Sequence, residues 1–454
     1  MVRLSLTFVL VFLVCISNSQ ASDNNIQNEF QFTPETRGKV FTIQGSNTVG
    51  ANLMRNFLVD FLTMHNAVAV ETINLPTANE YRVQGYINNE KVYVDVAAHG
   101  SSTGFKGLAQ GTADIAMASR RIKDSEVKSL EFLGNLRKFT NEHIVAIDGL
   151  AVIVNQDNPI SELRLDQIAE IFSGQISNWK QLGGYDQPIS LYARDNNSGT
   201  WDTFESLVLD EQHVLSPKAR RFESNDELSD LVSGDIAGIG FVGLASVRKA
   251  KALAISEPGA NSLKPEVLVV ATEDYALSRR LYLYTPENLT NDWIRQFLRY
   301  VQSDRAQSIV AQTGFVAQTV FNVPANFSAI DTESLEDYVR LLQDAHRLSI
   351  NIRFAEGSAD LDNKARHDVN RIVSFMQKPE NIGKRLVLIG FGDPLKTERR
   401  TDLLSQMRAI KVKSALLKQG VPSERVYGFG SDKPVAADDG DNKAKNRRVE
   451  IWMR

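Results

Sequence analysis

The chain has 454 residues, 43% of them apolar and 23% charged, with 51 basic against 55 acidic side chains and a net charge of −4. Such a length exceeds one ordinary hydrophobic core, so two or more domains are expected. The near-average composition excludes a collagen-like or wholly disordered chain, and one cysteine excludes a disulfide-stapled one.

At the N-terminus, Arg3 precedes the apolar run Leu4 to Val14, and Ser19-Gln20-Ala21 offers small residues for cleavage. That is the pattern of a secretory signal peptide over residues 1–21, its apolar run too short for a membrane span. Cys15 lies inside it, so the mature chain is expected to carry no thiol, no cysteine metal site and no transmembrane segment.

Four polar turns then follow apolar strand patterns. Val40-Phe41-Thr42-Ile43 runs into Gly45-Ser46-Asn47-Thr48, before a helical pattern through Leu53, Phe57 and Phe61. Val92 to Val96 leads to Gly100-Ser101-Ser102-Thr103-Gly104, and Ile115 to Ala118 ends at Ser119-Arg120. Ile189 to Ala193 leads to Arg194-Asp195-Asn196-Asn197-Ser198-Gly199-Thr200, with a helix expected from about Ser198. A helix start presents unpaired N–H groups to an anion. Glycine permits close approach, hydroxyls donate, and an arginine fork matches two oxygens of a tetrahedral oxyanion. The candidate anion-binding residues are Ser46, Thr48, Ser101, Ser102, Ser119, Arg120, Arg194, Ser198, Gly199 and Thr200. Any one such turn also reads as an ordinary capped helix beside a surface arginine.

Taken in order, these turns, with Gly111 to Arg120 and Ile171 to Trp179, resemble the periplasmic phosphate-binding proteins of ABC transporters, over residues 39–321. The resemblance implies two α/β lobes with the anion between them, no cofactor, no catalysis, and an ABC permease as partner. The family often has an aspartate in the Ser119-Arg120 region that accepts the proton of hydrogen phosphate. None stands there in this chain, so weaker rejection of sulfate is expected, unless Asp195 or Asp202 takes the role.

Residues 322–347 read as a polar linker with a short acidic-capped helix through Tyr338, Leu341 and Leu342. From Leu348 a β-α-β-α-β order follows, ending on Arg448 to Trp452. Leu404, Arg408, Val412 and Leu416 share one helical face, so Arg408 interrupts an apolar stripe, by snorkelling or as a recognition group. Asp393, after the Leu386–Gly390 strand, is its natural complement for a zwitterion. Residues 348–454 are similar to the OmpA-like peptidoglycan-binding domain, through Gly390-Phe391-Gly392-Asp393, Leu404 to Ala409 and Asn446 to Glu450. The resemblance assigns Asp393 and Arg408 to the diaminopimelate centre of the peptide stem. From His346 to Arg454 there are 22 basic and 14 acidic residues, a net +8 against −12 elsewhere. On a secreted chain that excess suits acidic wall polymers rather than nucleic acid.

Two enzyme-like or metal-like patterns carry less. Gly100-x-Ser102-x-Gly104 fits a nucleophile elbow, but too few strands precede it and no later Asp and His are singled out. Asp438-Asp439-Gly440-Asp441 lacks the ligand spacing of a calcium loop, and no histidines pair at metal-ligand spacing. The expected architecture is a two-lobed α/β binding protein followed by a small α+β OmpA-like domain. The expected function is oxyanion binding by a periplasmic protein held on the cell wall. An envelope sensor or structural adaptor using the anion site for regulation is the alternative, and a serine hydrolase comes third.

Overall fold

The computed structural model describes residues 38–196, 198–209, 213–326, 336–354, 357–393, 398–437 and 441–454. The signal segment, Asn197 and the Asp438–Gly440 turn singled out from the sequence lie outside these residues. Lobe 1 begins with β1 (Lys39–Gly45), the one-turn helix α1 (Asn47–Gly50), α2 (Leu53–Met64), β2 (Val68–Asn74) and β3 (Glu80–Ile87). It continues with β4 (Glu90–Ala98), α3 (Ser101–Gln110), β5 (Ile115–Ala118), α4 (Asp124–Ser129) and β6 (Glu142–Val154). Lobe 2 holds β7 (Glu162–Arg164), α5 (Leu165–Ser173), β8 (Ser190–Arg194), α6 (Gly199–Leu207) and β9 (Arg220–Phe222). After α7 (Asn225–Gly234) come β10 (Gly238–Gly243), β11 (Lys251–Ala252), β12 (Ala254–Ser256) and α8 (Val267–Ala271). The chain returns through β13 (Ser278–Tyr284) to α9 (Asp292–Tyr300) and α10 (Asp304–Gln312), which pack on lobe 1.

The helices are set by apolar periodicity: α2 buries Leu53, Met54, Phe57, Leu58, Phe61 and Leu62 on one face. The strands follow the order β2-β3-β4-β1-β5-β13-β6-β10-β8-β9, with β11 also paired to β6. β6 is the joint. Its residues 142–149 pair with β13 in lobe 1, and residues 150–154 pair with β10 in lobe 2. Asp148 and Gly149 therefore sit at the crossing between lobes.

The C-terminal part contains β14 (Asn322–Pro324), α11 (Glu336–Leu342), β15 (His346–Arg353), α12 (Asn363–Met376) and β16 (Leu386–Gly390). It ends with α13 (Glu398–Leu417), β17 (Ser423–Gly428) and β18 (Arg448–Met453), in the sheet order β14-β15-β18-β16-β17. β16 is apolar at each position before its final glycine because both faces are covered. Leu386 and Leu388 pack with α12 and α13, while Val387 and Ile389 face Tyr338 and Leu342 of α11. The linker reading is thereby corrected. Asn322–Pro324 is a strand of this sheet, paired with β15, and α11 roofs its second face, burying Tyr338 and Leu342 that a free connector would leave wet.

Nor does the C-terminal part hang on a tether. On lobe 1, Asn363 donates to Arg137 O (2.8 Å) and to Glu142 (3.0 Å), and Arg371 donates to Gln302 (2.7 Å) and Gln318 (3.1 Å). Phe139 stacks on His367 with centroids 4.3 Å apart. At the return crossing, Arg280 bonds Glu273 through two nitrogens (2.6 and 2.9 Å) and Asp362 through a third (2.9 Å). Arg353 meets Asp274 (2.8 Å), and Lys445 donates to the carbonyls of Tyr275 (2.7 Å) and Ala276 (2.8 Å). On lobe 2, Ala437 N–H donates to Glu257 (2.8 Å), and Asn261 donates to Pro434 O (3.2 Å). Residues 38–454 accordingly behave as one unit.

Candidate functional site

β1 lies between β4 and β5 and runs parallel to both, so their carboxyl ends sit side by side: Gly45 pairs with Ala98 and with Met117. Ligands of open α/β sheets collect at such ends. Gly45 has φ +136°, and a Cβ there would lie 2.1 Å from Met117 O, so only glycine allows this approach. Ser46 N–H then bonds Met117 O (2.9 Å), while the buried Ser46 hydroxyl meets no acceptor or donor among the described residues. The Ser101 hydroxyl accepts from Ser119 N–H (3.1 Å) and lies 3.4 Å from the Ser119 hydroxyl. Arg120 donates to the Ser102 hydroxyl (3.0 Å). It also bonds Glu126 through two nitrogens (2.8 and 2.7 Å) and donates to Arg121 O (3.2 Å). Burial works to raise the Glu126 carboxyl, but the bonds from Arg120 and Lys123 N–H overcome it and leave it below its usual range.

In lobe 2, α6 starts where the sequence indicated. Ser198 is its N-cap, accepting from Thr200 N–H (3.2 Å) and Trp201 N–H (3.4 Å), with Gly199 as first helical residue. Part of the motif is thus ordinary capping chemistry. Arg194 is buried; its Nε donates to Phe222 O (3.1 Å), Nη2 to Glu223 O, and Nη1 to the Thr200 hydroxyl (3.4 Å). Three of its five N–H groups are engaged this way. Burial lowers the guanidinium pKa, opposed by Asp195 and Glu223.

Across the cleft, α1 packs against α6, which brings Ser46 and Thr48 towards the Ser198–Thr200 turn. Apart from Thr48, the join is made by residues outside the sequence-predicted set. Arg279 of β13 donates to the Thr48 hydroxyl (3.0 Å) and to Asp148 (3.3 Å), and Asp148 accepts from the Thr203 hydroxyl of α6 (2.9 Å). Thr48, Arg279, Asp148 and Thr203 form a buried chain from one lobe to the other. Burial lowers the Arg279 pKa, with Asp148 and Asp202 opposing; burial likewise raises Asp202, opposed by Arg279. A charge inside the apolar run Ile144 to Val154 was the available signal for Asp148.

In the C-terminal domain, Arg408 is 1% exposed, so it does not snorkel. Its Nε donates to Ser358 O (3.1 Å) and Nη1 to Phe391 O (3.3 Å), and burial pushes its pKa down to about 10. Gly392 makes room for it: a Cβ there would be 3.0 Å from Nη1. Asp393 forms its ion pair with Arg447 rather than Arg408 (2.7 Å), and its Oδ1 is buried without a partner among the described residues. Arg447, which the sequence offers only within the Asn446 to Glu450 motif, is therefore a third member of this cluster. Among the described residues the elbow-like Ser102 has no histidine partner; His143 lies instead under the C-terminal domain, its Nε2, like that of His367, buried without a partner among those residues.

Comparison with known proteins gives two family matches: a PBP superfamily domain over residues 44–305 and the OmpA family over residues 353–448. The chain is similar to the phosphate-binding protein PstS of Bacillus subtilis, 30% identical over 263 residues, covering 58% of this chain and 82% of that one. PstS of Staphylococcus saprophyticus is 31% identical over 239 residues, covering 51% and 73%. Among solved structures, a possible phosphate-binding protein from Planctomyces limnophilus shares the fold, with TM-score 0.50 and 23% identity over 62% of this chain and 93% of its own. An ABC-type phosphate transport receptor from Vibrio cholerae matches with TM-score 0.48 and 30% identity, over 61% and 99%.

Proposed function

Because the chain belongs to the PBP superfamily through residues 44–305 and carries an OmpA family domain over residues 353–448, we propose that it binds phosphate between its lobes and peptidoglycan through its C-terminal domain. The observation that carries the anion reading is the meeting of hydroxyl-bearing turns from both lobes around Arg194 and the Arg279–Asp148 bridge. Ser46, Thr48, Ser101, Ser102 and Ser119 supply neutral donors, and the first N–H groups of α6 and α3 face the same ends of their sheets. Lysine is absent from these turns, so charge complementarity rests on arginine, whose planar fork suits a tetrahedral oxyanion. Nothing in this machinery provides a nucleophile with its base, and binding rather than turnover is its chemistry.

The wall reading rests on Asp393 beside Arg408 and Arg447. The Asp393 Oδ1, without a partner among the described residues, is an acceptor for an ammonium, while the arginines answer a carboxylate. Exported by its N-terminal signal and held on peptidoglycan, the protein captures phosphate in the periplasm and supplies it to an ABC permease. Calorimetry of the purified chain with phosphate, sulfate, arsenate and molybdate tests the first half. Heat with phosphate is the expected result, and silence with all four ions would overturn it.

A further inference from the structure

The C-terminal domain grips three places that must move relative to one another whenever two lobes rotate about a hinge. On lobe 1 its hold is broad: Arg371, Asn363 and the His367–Phe139 stack. At the return crossing it takes the backbone itself. Thr272 O accepts from Asn351 (3.2 Å) and Arg353 (2.8 Å), and Lys445 ties down Tyr275 O and Ala276 O. On lobe 2 its hold is narrower: Glu257 accepts from Ala437 N–H, and Asn261 donates to Pro434 O through its side-chain amide and through its backbone N–H (3.3 Å). A rotation of lobe 2 must therefore strain these bonds or drag residues 434–437 along.

That segment leads straight to the wall cluster. Asn446 clamps it, accepting from Val435 N–H (2.8 Å) and Ala436 N–H (3.1 Å) and donating to Ala436 O (2.8 Å). The next residue, Arg447, is the ion partner of Asp393 (2.7 Å). The second route is shorter. Arg279 and Arg280 are neighbours on β13 and point to opposite faces, as strand residues must. Arg279 reaches Thr48 and Asp148 in the cleft, and Arg280 reaches Glu273 and Asp362 of the C-terminal domain's docking surface.

We propose that the C-terminal domain is a latch across the hinge, coupling lobe closure on an anion to the seating of residues 434–437 beside the Asp393–Arg447 cluster. The inference rests on the anion reading and adds a regulatory role that neither module has alone. In the described arrangement α1 touches α6 while the lobe-2 contacts are made, so the latch favours the closed cleft. Contacts present in one state and lost in the other are what shift such an equilibrium. Linkage then makes the effect mutual: whatever the wall ligand does to anion affinity, the anion does to wall affinity by the same factor.

Hydrogen–deuterium exchange on the full chain, with and without phosphate, tests this. Phosphate is expected to slow exchange at residues 198–204 and also at the amides of Val435, Ala436 and Ala437. Slowing confined to the cleft overturns the latch. No slowing at either place removes the anion reading itself, and the latch falls with it. Glu257→Ala combined with Asn261→Ala gives the second arm: it removes both side-chain bonds to residues 434–437 and leaves only the backbone bond from Asn261 N–H to Pro434 O. The doubly substituted protein, folded by circular dichroism, is expected to bind phosphate roughly fivefold or more weakly, the low end of usual coupling. Unchanged phosphate affinity in that protein would equally overturn the proposal.

Discussion

Replacing Arg280 with Met should unfasten the C-terminal domain. Arg280 is 19% exposed and shared between Glu273, 7% exposed, and Asp362, 34% exposed. Burial alone would keep Glu273 from ionising; Arg280, Lys364 and Arg353 overcome this and hold its carboxyl far below the usual range. Removing one partner of a buried pair costs about 3–5 kcal/mol. Arg353 remains 3.4 Å from Glu273 and keeps the loss near the lower end of that range. The Asp362 arm is a third exposed, so it adds less than about 1 kcal/mol. The sum, about 3–4 kcal/mol, corresponds to a fall in Tm of roughly 3–5 °C for a single unit of this size. Differential scanning calorimetry should show this fall, with the single endotherm splitting as the two parts lose their bond. The deficit should also depend on pH. A depressed carboxyl contributes stability above its unfolded pKa and loses it as pH falls, so wild type and variant should converge in acid. A variant within about 1 kcal/mol of wild type, unfolding in one unchanged transition, would refute the view that this buried pair fastens the domains.

Arg194→Ala should weaken phosphate binding by about 1.5–3 kcal/mol, tenfold or more by calorimetry, because a charged donor leaves a buried cleft. In competition titrations sulfate in excess should displace phosphate; complete failure to do so would reveal a carboxylate acceptor, for which Asp202 in the first turn of α6 is placed. His143 and His367 meet beneath the docked domain, and burial pushes each pKa down to about 4. Both are depressed below the ordinary value near 6.5, so stability should fall between about pH 6.5 and 4, by on the order of 1–3 kcal/mol. Urea titrations across that window check this, and His367→Phe should flatten the slope. Asp393→Asn should abolish pelleting with purified peptidoglycan; it is a cleaner probe than Arg408→Ala, which would also strip donors from the Ser358 and Phe391 carbonyls.

The strand–turn–helix units were legible because each is local. A β-period pattern, a glycine and a hydroxyl cap lie within about a dozen residues, and α6 begins at Gly199 after Ser198 for that reason. Arg408 was legible as an anomaly on an apolar stripe, though its burial exceeds what snorkelling allows. The Arg279–Asp148 bridge was not legible, since its partners are 131 residues apart and pair only once β13 lies along β6. The same holds for docking: Arg280 with Asp362, or Ala437 with Glu257, leave no periodic trace in the chain. The polar composition of residues 322–347 reads as linker; the apolar surface that Tyr338 and Leu342 of α11 cover is contributed by Val387 and Ile389 of β16 and Trp452 of β18, distant in the chain.

The pairing of β14 with β15 decides where this protein can be cut. Asn322, Val323 and Pro324 pair with Leu348, Arg347 and His346, and Ser349 N–H bonds Phe321 O (2.9 Å). A fragment begun at Leu348 would strip this border from β15 and leave its amides and carbonyls facing solvent beside the apolar side chains of Leu348, Ile350 and Ile352. Such a bare border recruits other chains, so clumping of that fragment would masquerade as sedimentation with the wall. A fragment begun before Thr319 keeps its own border and gives the honest control.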